Sequence, residues 1–118
     1  MAKIMVVEDE ERYMAQIAGI VERAGHEPIC FDGHRQALDA YDAERPHMVI
    51  ADYSGPSACQ ALMAEIRWKD GDIPVYVQSH GTPSEYMLKE DRVTGFIPKR
   101  KLDERLPAIL AEHFGGSE

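Results

Sequence analysis

Short apolar runs alternate with helix-like patterns along the whole chain, and this alternation restricts the possible folds more than any other feature. Five runs have the length and apolar content of strands: Ile4–Val7, Glu27–Phe31, Met48–Ala51, Pro74–Gln78 and Phe96–Pro98. Between and after them, apolar residues recur every three or four positions, as in amphipathic helices. Five strand-helix units joined by right-handed crossovers predict an α/β protein, a three-layer sandwich with helices on both faces of a parallel sheet.

Two prolines indicate which strands lie at the edges of this sheet. Proline cannot donate to a central hydrogen-bond ladder, so the runs that contain Pro28 and Pro98 are expected at the edges. The run Met48–Ala51 is uninterrupted, which is typical of a strand buried on both faces. A doubly wound, flavodoxin-like sheet with strand order 2-1-3-4-5 satisfies these constraints and places the switch point between the first and third strands.

Four of the predicted strands end in polar residues with chemical capability. The first ends in Glu8 and Asp9, the third in Asp52, the fourth in Ser79 and the fifth in Lys99. In a parallel sheet, the carboxyl ends of all strands lie along one edge, which is where open α/β sheets bind their ligands. Residues far apart in the sequence are therefore predicted to converge on one site.

The converging side chains suit phosphoryl transfer with a divalent cation. The carboxylates of Glu8, Asp9 and Asp52 would repel one another unless a cation joined them. Mg²⁺ is the preferred candidate because it takes oxygen ligands, keeps several waters and is commonly held by one or two carboxylates. Asp52 is the candidate nucleophile for attack on phosphorus, and Lys99 and Ser79 can neutralise and hold the transferred group.

Size and composition narrow the possible classes. The chain has 118 residues, enough for one domain with its own core, so we expect a single domain over residues 1–118. The net charge of -8, from 13 Lys and Arg against 21 Asp and Glu, disfavours direct nucleic-acid binding, which needs a clustered basic face. Two cysteines, no secretion signal and no apolar stretch of spanning length predict a cytoplasmic protein without a membrane anchor.

The strand-end segments resemble the motifs of a known family. In order and spacing they are similar to those of bacterial two-component response-regulator receiver domains, over the range Lys3 to Phe114. Each segment alone is a weak signal, but the four together are specific. The matching segments are Val6–Glu10, Val49–Asp52 with Pro56 following, Pro74–Ser79 and Gly95–Lys99. Because no output domain follows the last predicted helix, a stand-alone receiver similar to the chemotaxis regulators is expected.

The resemblance implies a metal site. It implies that the acid pair Glu8 and Asp9 ligates Mg²⁺, with Asp9 as the more direct ligand. It also implies ligation by Asp52 and by the backbone carbonyl of Ser54.

The resemblance also implies a signalling function. It implies that a histidine kinase or a histidine phosphotransfer protein supplies a phosphoryl group to Asp52, and that Ser79 and Lys99 hold that group. Ser79 and Phe96 then occupy the positions of a conformational switch. The implied output is phosphorylation-dependent binding of a downstream protein, with neither nucleic acid nor a membrane as a direct partner.

Some positions depart from the family pattern. His80 stands where a small side chain is usual, and Arg100 stands where proline is usual. The loop after Asp52 is one residue shorter than usual. No candidate catalytic group is lost, but two alternatives stay open: a receiver-like binding module that works without phosphorylation, and a magnesium-dependent phosphohydrolase with an aspartyl nucleophile. The second normally needs an acid two residues after the nucleophile, where this chain has Ser54.

Predictions for two helices are specific enough to check. The segment Thr82–Glu85 predicts the start of the fourth helix, with Thr82 as the N-cap and Glu85 closing a capping box. Gly25 is the predicted C-terminal stop of the first helix. The inner face of that helix is predicted from the apolar residues Met14, Ile17, Ala18, Val21 and Ala24.

Overall fold

Five parallel strands form one sheet in the predicted order. The computed structural model describes residues 1–53 and 56–115. The strands are β1 (Lys3–Val7), β2 (Glu27–Phe31), β3 (Met48–Asp52), β4 (Val75–Ser79) and β5 (Gly95–Pro98). Their order is β2-β1-β3-β4-β5, with every neighbouring pair parallel. The flavodoxin-like topology is confirmed, and the two strands that contain Pro28 and Pro98 lie at the edges.

Helices follow the strands and cover both faces of the sheet. They are α1 (Glu11–Arg23), α2 (His34–Glu44), α3 (Pro56–Lys69), α4 (Glu85–Glu90) and α5 (Leu102–Phe114), the last preceded by a short 3₁₀ turn, Lys99–Lys101. Within the described ranges, no helix has the length and apolar character needed to cross a membrane.

Strand alternation divides the apolar interior into two layers. Ile4 and Val6 of β1 belong to the layer under α1 and α5, whereas Met5 and Val7 belong to the layer under α2 and α3. All five residues of β3 are buried. The polar side chain of Asp52 lies at the end of this strand, within reach of Lys99, which follows β5.

Helix α1 ends where predicted, but its buried face differs from the prediction. Gly25 has a φ of 89° and its N–H donates to Glu22, while the His26 N–H donates to Val21, which is a Schellman ending. Met14 and Ala18 are only half-buried. The fully buried residues are Tyr13, Ile17, Ile20 and Val21. The face is therefore rotated toward Tyr13, whose ring covers the carboxyl edge of the sheet instead of facing solvent.

The predicted N-cap of α4 is wrong. The helix begins at Glu85, and its N-cap is Ser84, whose Oγ accepts a hydrogen bond from the Met87 N–H at 3.1 Å. Thr82 lies outside the helix. Ser84 satisfies a first-turn N–H with its side chain and leaves the carboxylate of Glu85 in the first turn, where it complements the helix dipole.

Helix α4 is held to the body of the protein mainly at its C-terminal end. None of its six residues, all within the described part of the chain, is fully buried. At its C-cap, Asp91 accepts a hydrogen bond of 2.6 Å from the hydroxyl of the buried Tyr53. A carboxylate is unfavourable at a helix C-terminus, so the hydroxyl offsets that cost. Burial, together with the Asp91 carboxylate, raises the pKa of Tyr53, which keeps its proton available for this bond.

We expect Tyr53→Phe to lower the free energy of unfolding by about 2 kcal/mol, because it leaves the partly buried Asp91 carboxylate without its donor. Chemical denaturation measures this loss. Tyr86→Phe is the matched control, since Tyr86 is 72% exposed and its hydroxyl should contribute little. If Tyr53→Phe and Asp91→Asn have additive effects in the double variant, the two side chains are not coupled.

Candidate functional site

The strand-end residues predicted from the sequence meet at the carboxyl edge of the sheet. Glu8 follows β1, Asp52 ends β3 and Lys99 follows β5, and all three are buried. The Nζ atom of Lys99 lies 3.0 Å from Glu8 Oε1 and 3.4 Å from Asp52 Oδ1. Three strands that are separated in sequence are thus joined by one buried ammonium.

Lys99 has two further partners, both from the start of α1. Its Nζ lies 3.2 Å from Glu10 Oε1 and 4.5 Å from the centre of the Tyr13 ring. Burial lowers the pKa of Lys99, but the carboxylates of Glu8, Asp52 and Glu10 outweigh it and raise the pKa overall. The hydrogen bond from Lys99 in turn lowers the pKa of Glu10. The ammonium therefore stays charged at neutral pH.

Glu8 is fixed from three sides. Besides Lys99, its carboxylate accepts a hydrogen bond of 2.9 Å from Gln78 Nε2 and one of 3.0 Å from the Glu10 backbone N–H. Gln78 is fully buried on β4, and its Oε1 has no hydrogen-bond partner within the described residues. Glu8 is therefore a preorganised acceptor with little freedom to move.

Glu8, Asp9 and Asp52 can together hold a metal ion. Each offers a carboxylate oxygen, and these oxygens lie within 4.8 Å of one another. Asp9 is exposed, so its carboxylate is open to an ion that enters from solvent. Lys99 pairs with Glu8, Glu10 and Asp52, and Asp9 adds a fourth carboxylate to the cluster, so the site has an excess of negative charge.

The donor set fits a hard cation that retains water. The three carboxylates supply oxygen alone, which suits Mg²⁺ better than zinc. The unpartnered Oε1 of Gln78 is a buried acceptor beside the cluster, and a hydrated ion brings the water donors that such an acceptor needs. Ser54, whose backbone carbonyl was predicted as a further ligand, lies outside the described residues.

Ser79 and Phe96, the predicted switch residues, lie on neighbouring strands. Ser79 ends β4, and its Oγ accepts a hydrogen bond of 3.2 Å from the Gly81 N–H. Phe96 of β5 is half-buried and packs against the apolar layer under α2 and α3. Val77 and Phe96 are in register, so Phe96 lies two residues before the strand position that pairs with Ser79.

Several residues of the site were not assigned a role from the sequence. Glu10 and Tyr13 contact Lys99, and Gln78 contacts Glu8. The sequence did contain a signal for Gln78, because a polar residue inside an apolar strand is unusual. His80 stands at the rim: its Nε2 lies 3.4 Å from Glu10 Oε1, and its ring meets the Tyr13 ring edge-on at 5.2 Å.

Cys59 is an unsuitable nucleophile or metal ligand. Burial, with smaller contributions from Asp91 and Asp52, raises the pKa of its thiol to about 12. The thiol is therefore protonated at neutral pH, and metal binding and nucleophilic attack both require the thiolate.

Comparisons with known structures agree with this fold. No protein-family model matches the sequence. The response regulator TrrA of Thermotoga maritima, solved in complex with Mg²⁺-BeF, has a TM-score of 0.84 and 19% identity, covering 95% of this chain and 98% of that chain. The chemotaxis protein CheY4 of Vibrio cholerae has a TM-score of 0.80 and 21% identity, covering 93% and 99%. NtrX of Brucella abortus has a TM-score of 0.82 and 30% identity, covering 95% of this chain but 25% of NtrX.

The chain therefore has the fold of response-regulator receiver domains. The acids Glu8, Asp9 and Asp52 form a possible metal-binding cluster at the carboxyl edge of this fold.

Lys99→Met is expected to lower the free energy of unfolding by about 3 kcal/mol, because it leaves Glu8 and Asp52 buried without their counter-ion. Mg²⁺ should raise the melting temperature of this variant more than that of the wild type, since it supplies the missing positive charge. Lys69→Met is the control: its pair with Asp42, at 3.1 Å, lies at the surface and should contribute less than about 1 kcal/mol. Equal losses for the two variants would contradict the role given to Lys99.

Asp9→Asn is expected to weaken Mg²⁺ binding by about tenfold while leaving the fold intact, because the side chain is an exposed member of the acid cluster. The metal-free variant should melt at the same or a slightly higher temperature, since one of the mutually repelling carboxylates is removed. Thermal melts with and without Mg²⁺ measure both effects, with Glu11→Gln as an exposed acidic control. An unchanged Mg²⁺-induced shift in Asp9→Asn would show that Asp9 is no ligand.

Proposed function

We propose that this protein is the phosphoacceptor receiver of a two-component phosphorelay. It takes a phosphoryl group from the phosphohistidine of a histidine kinase or a histidine phosphotransfer protein onto Asp52. The observation that carries the proposal is the position of Asp52 beside the ammonium of Lys99 and within the acid cluster. That arrangement provides a nucleophile, a cation for the transferred group and a metal site at one place.

The proposed reaction is an in-line displacement at phosphorus. A carboxylate oxygen of Asp52 forms a P–O bond as the P–N bond to the donor imidazole breaks, and the imidazole leaves with its electron pair and takes up a proton. Lys99 needs to move little to reach the new phosphoryl oxygens, because its Nζ is already 3.4 Å from Asp52. The hydroxyl of Ser79, at the end of the neighbouring strand, donates to the same group.

Mg²⁺ is the proposed cofactor. Asp9 and Asp52 hold it directly, with Glu8 and the backbone carbonyl of Ser54 completing the proposed set of protein ligands. When bound, the ion neutralises charge on the phosphoryl oxygens and on the carboxylates. TrrA, which shares the fold, is described with Mg²⁺-BeF, and the excess of carboxylates over ammonium in this chain supports the same ion here.

The proposed output is binding of a downstream protein. Phosphorylation replaces the singly charged carboxylate of Asp52 with an acyl phosphate of about two negative charges, which draws Ser79 and the loop after it toward the new oxygens. Phe96 then shifts, and the surface formed by α4, β5 and α5 changes its preferred conformation. That surface already has a cavity of about 440 Å³, lined by Tyr86, Leu88, Lys89, Val93 and others, in which a partner side chain can lie.

A signalling role is better supported than a dedicated enzyme. A phosphohydrolase with an aspartyl nucleophile needs a second acid to protonate its leaving group, and the position two residues after Asp52 is Ser54. A receiver-like binding module without phosphorylation is the second candidate, but such a module does not require Asp52 and Ser79 beside the Lys99 ammonium. We place the protein in the cytoplasm, where its two free cysteines, Cys30 and Cys59, stay reduced.

The wild-type protein is expected to gain the mass of one phosphoryl group when incubated with a small acyl phosphate and Mg²⁺, because its own residues assemble the site. Intact-mass spectrometry detects this gain. Asp52→Asn should lose it, and Asp39→Asn, which removes an exposed carboxylate on α2, should keep it. A gain that persists in Asp52→Asn would refute the assignment of the phosphorylated residue, and no gain in wild type would favour the phosphorylation-independent module.

A further inference from the structure

Gln78 is an unexpected residue at its position. It is fully buried on β4, in a strand whose neighbouring residues Tyr76 and Val77 belong to the apolar layers. It pairs in register with Asp52 on β3, so the two side chains lie next to each other on the same face of the sheet. A polar side chain has therefore been placed directly beside the candidate phosphorylation site.

The burial of this carboxamide carries a cost that packing does not explain. Its Nε2 donates to Glu8 Oε1 at 2.9 Å, but its Oε1 has no partner within the described residues. An unsatisfied buried carbonyl costs about 1–3 kcal/mol, and an apolar residue of the same length would avoid that cost. A buried polar atom without a partner needs an explanation, and a common explanation is an ordered water or ion that bonds to it.

Glu8 connects this amide to the reacting groups. The carboxylate of Glu8 receives Gln78 Nε2 on one side and Lys99 Nζ on the other, and Lys99 reaches Asp52. A displacement of the amide would therefore move Glu8, and with it the ammonium that lies against Asp52. Glu8 is also one of the three carboxylates of the possible metal cluster.

We propose that Gln78 is a positioning residue of this site, with a separate role for each end of its amide. The Nε2 group holds the Glu8 carboxylate in place, and the unpartnered Oε1 accepts a hydrogen bond from a water of the bound divalent cation. Mg²⁺ keeps several waters in such sites, and residues that orient its outer shell affect its affinity. This inference rests on the metal site of the proposed function.

Gln78→Met tests the proposal, because methionine keeps the length and approximate volume of the side chain and removes both polar atoms. Isothermal titration calorimetry of the unphosphorylated variant is expected to show Mg²⁺ affinity weakened about tenfold. Its melting temperature in a chelator should change little, because the lost Nε2 hydrogen bond to Glu8 is offset by removal of the unsatisfied carbonyl. Gln36→Met is the matched control: Gln36 also donates to a carboxylate, that of Asp32, but at an exposed position on α2.

The NMR resonance of the Gln78 side-chain amide in the wild-type protein gives a second test, and this test needs no variant. The Gln78 Nε2 amide resonance should shift during Mg²⁺ titration more than those of Gln16, Gln36 and Gln60. A resonance that does not shift, or a Gln78→Met variant with wild-type affinity, overturns the positioning role and leaves the proposed function intact. Failure of the wild type to bind Mg²⁺ overturns the positioning role and the proposed metal site together, and the mass-gain experiment then tests separately whether Asp52 accepts a phosphoryl group.

Discussion

The site depends on the ion pairs that the ammonium of Lys99 forms. The ammonium lies within 3.4 Å of Glu8, Glu10 and Asp52, which come from the ends of β1 and β3 and the start of α1. Without a cation Glu8 and Asp52 could not be buried together, because their mutual repulsion and desolvation would oppose folding. One ammonium cannot neutralise all of these acids, and the remaining negative charge is what a divalent cation can bind. The same contact thus stabilises the strand ends and prepares the site.

Helix α4 is less deeply buried than the central strands, and it lies next to the site. The strands β3 and β4 are buried throughout, whereas α4 has only half-buried and exposed residues. Tyr53, the residue after Asp52, donates to Asp91 at the end of α4. Segments with few buried contacts open at low free-energy cost. The chemical site is therefore connected to this helix by the Tyr53–Asp91 hydrogen bond, and α4 itself contributes only the half-buried Leu88 to the apolar layer under α2 and α3.

Errors in the sequence-based predictions come from side chains whose surroundings are set by distant residues. Both Thr82 and Ser84 suit an N-cap, and only the path of the chain after β4 selects Ser84. Tyr13 was absent from the predicted inner face of α1 although it is four residues from Ile17, because an aromatic residue near a helix start gives no sign of an ammonium above its ring. Local pattern cannot identify a partner that lies 86 residues away in the sequence, as Lys99 does from Tyr13.

The sequence by itself determined the sheet order and the edge at which the polar residues meet, since both follow from strand periodicity, two prolines and the geometry of parallel sheets. It also identified Glu8, Asp9, Asp52, Ser79 and Lys99 as candidates, because strand ends are visible in the pattern. Only the tertiary structure decided which acids share the ammonium and that Gln78 holds Glu8. Those choices depend on distances of about 3 Å between side chains from different strands, and such distances are fixed by packing of the whole sheet rather than by any local run of residues.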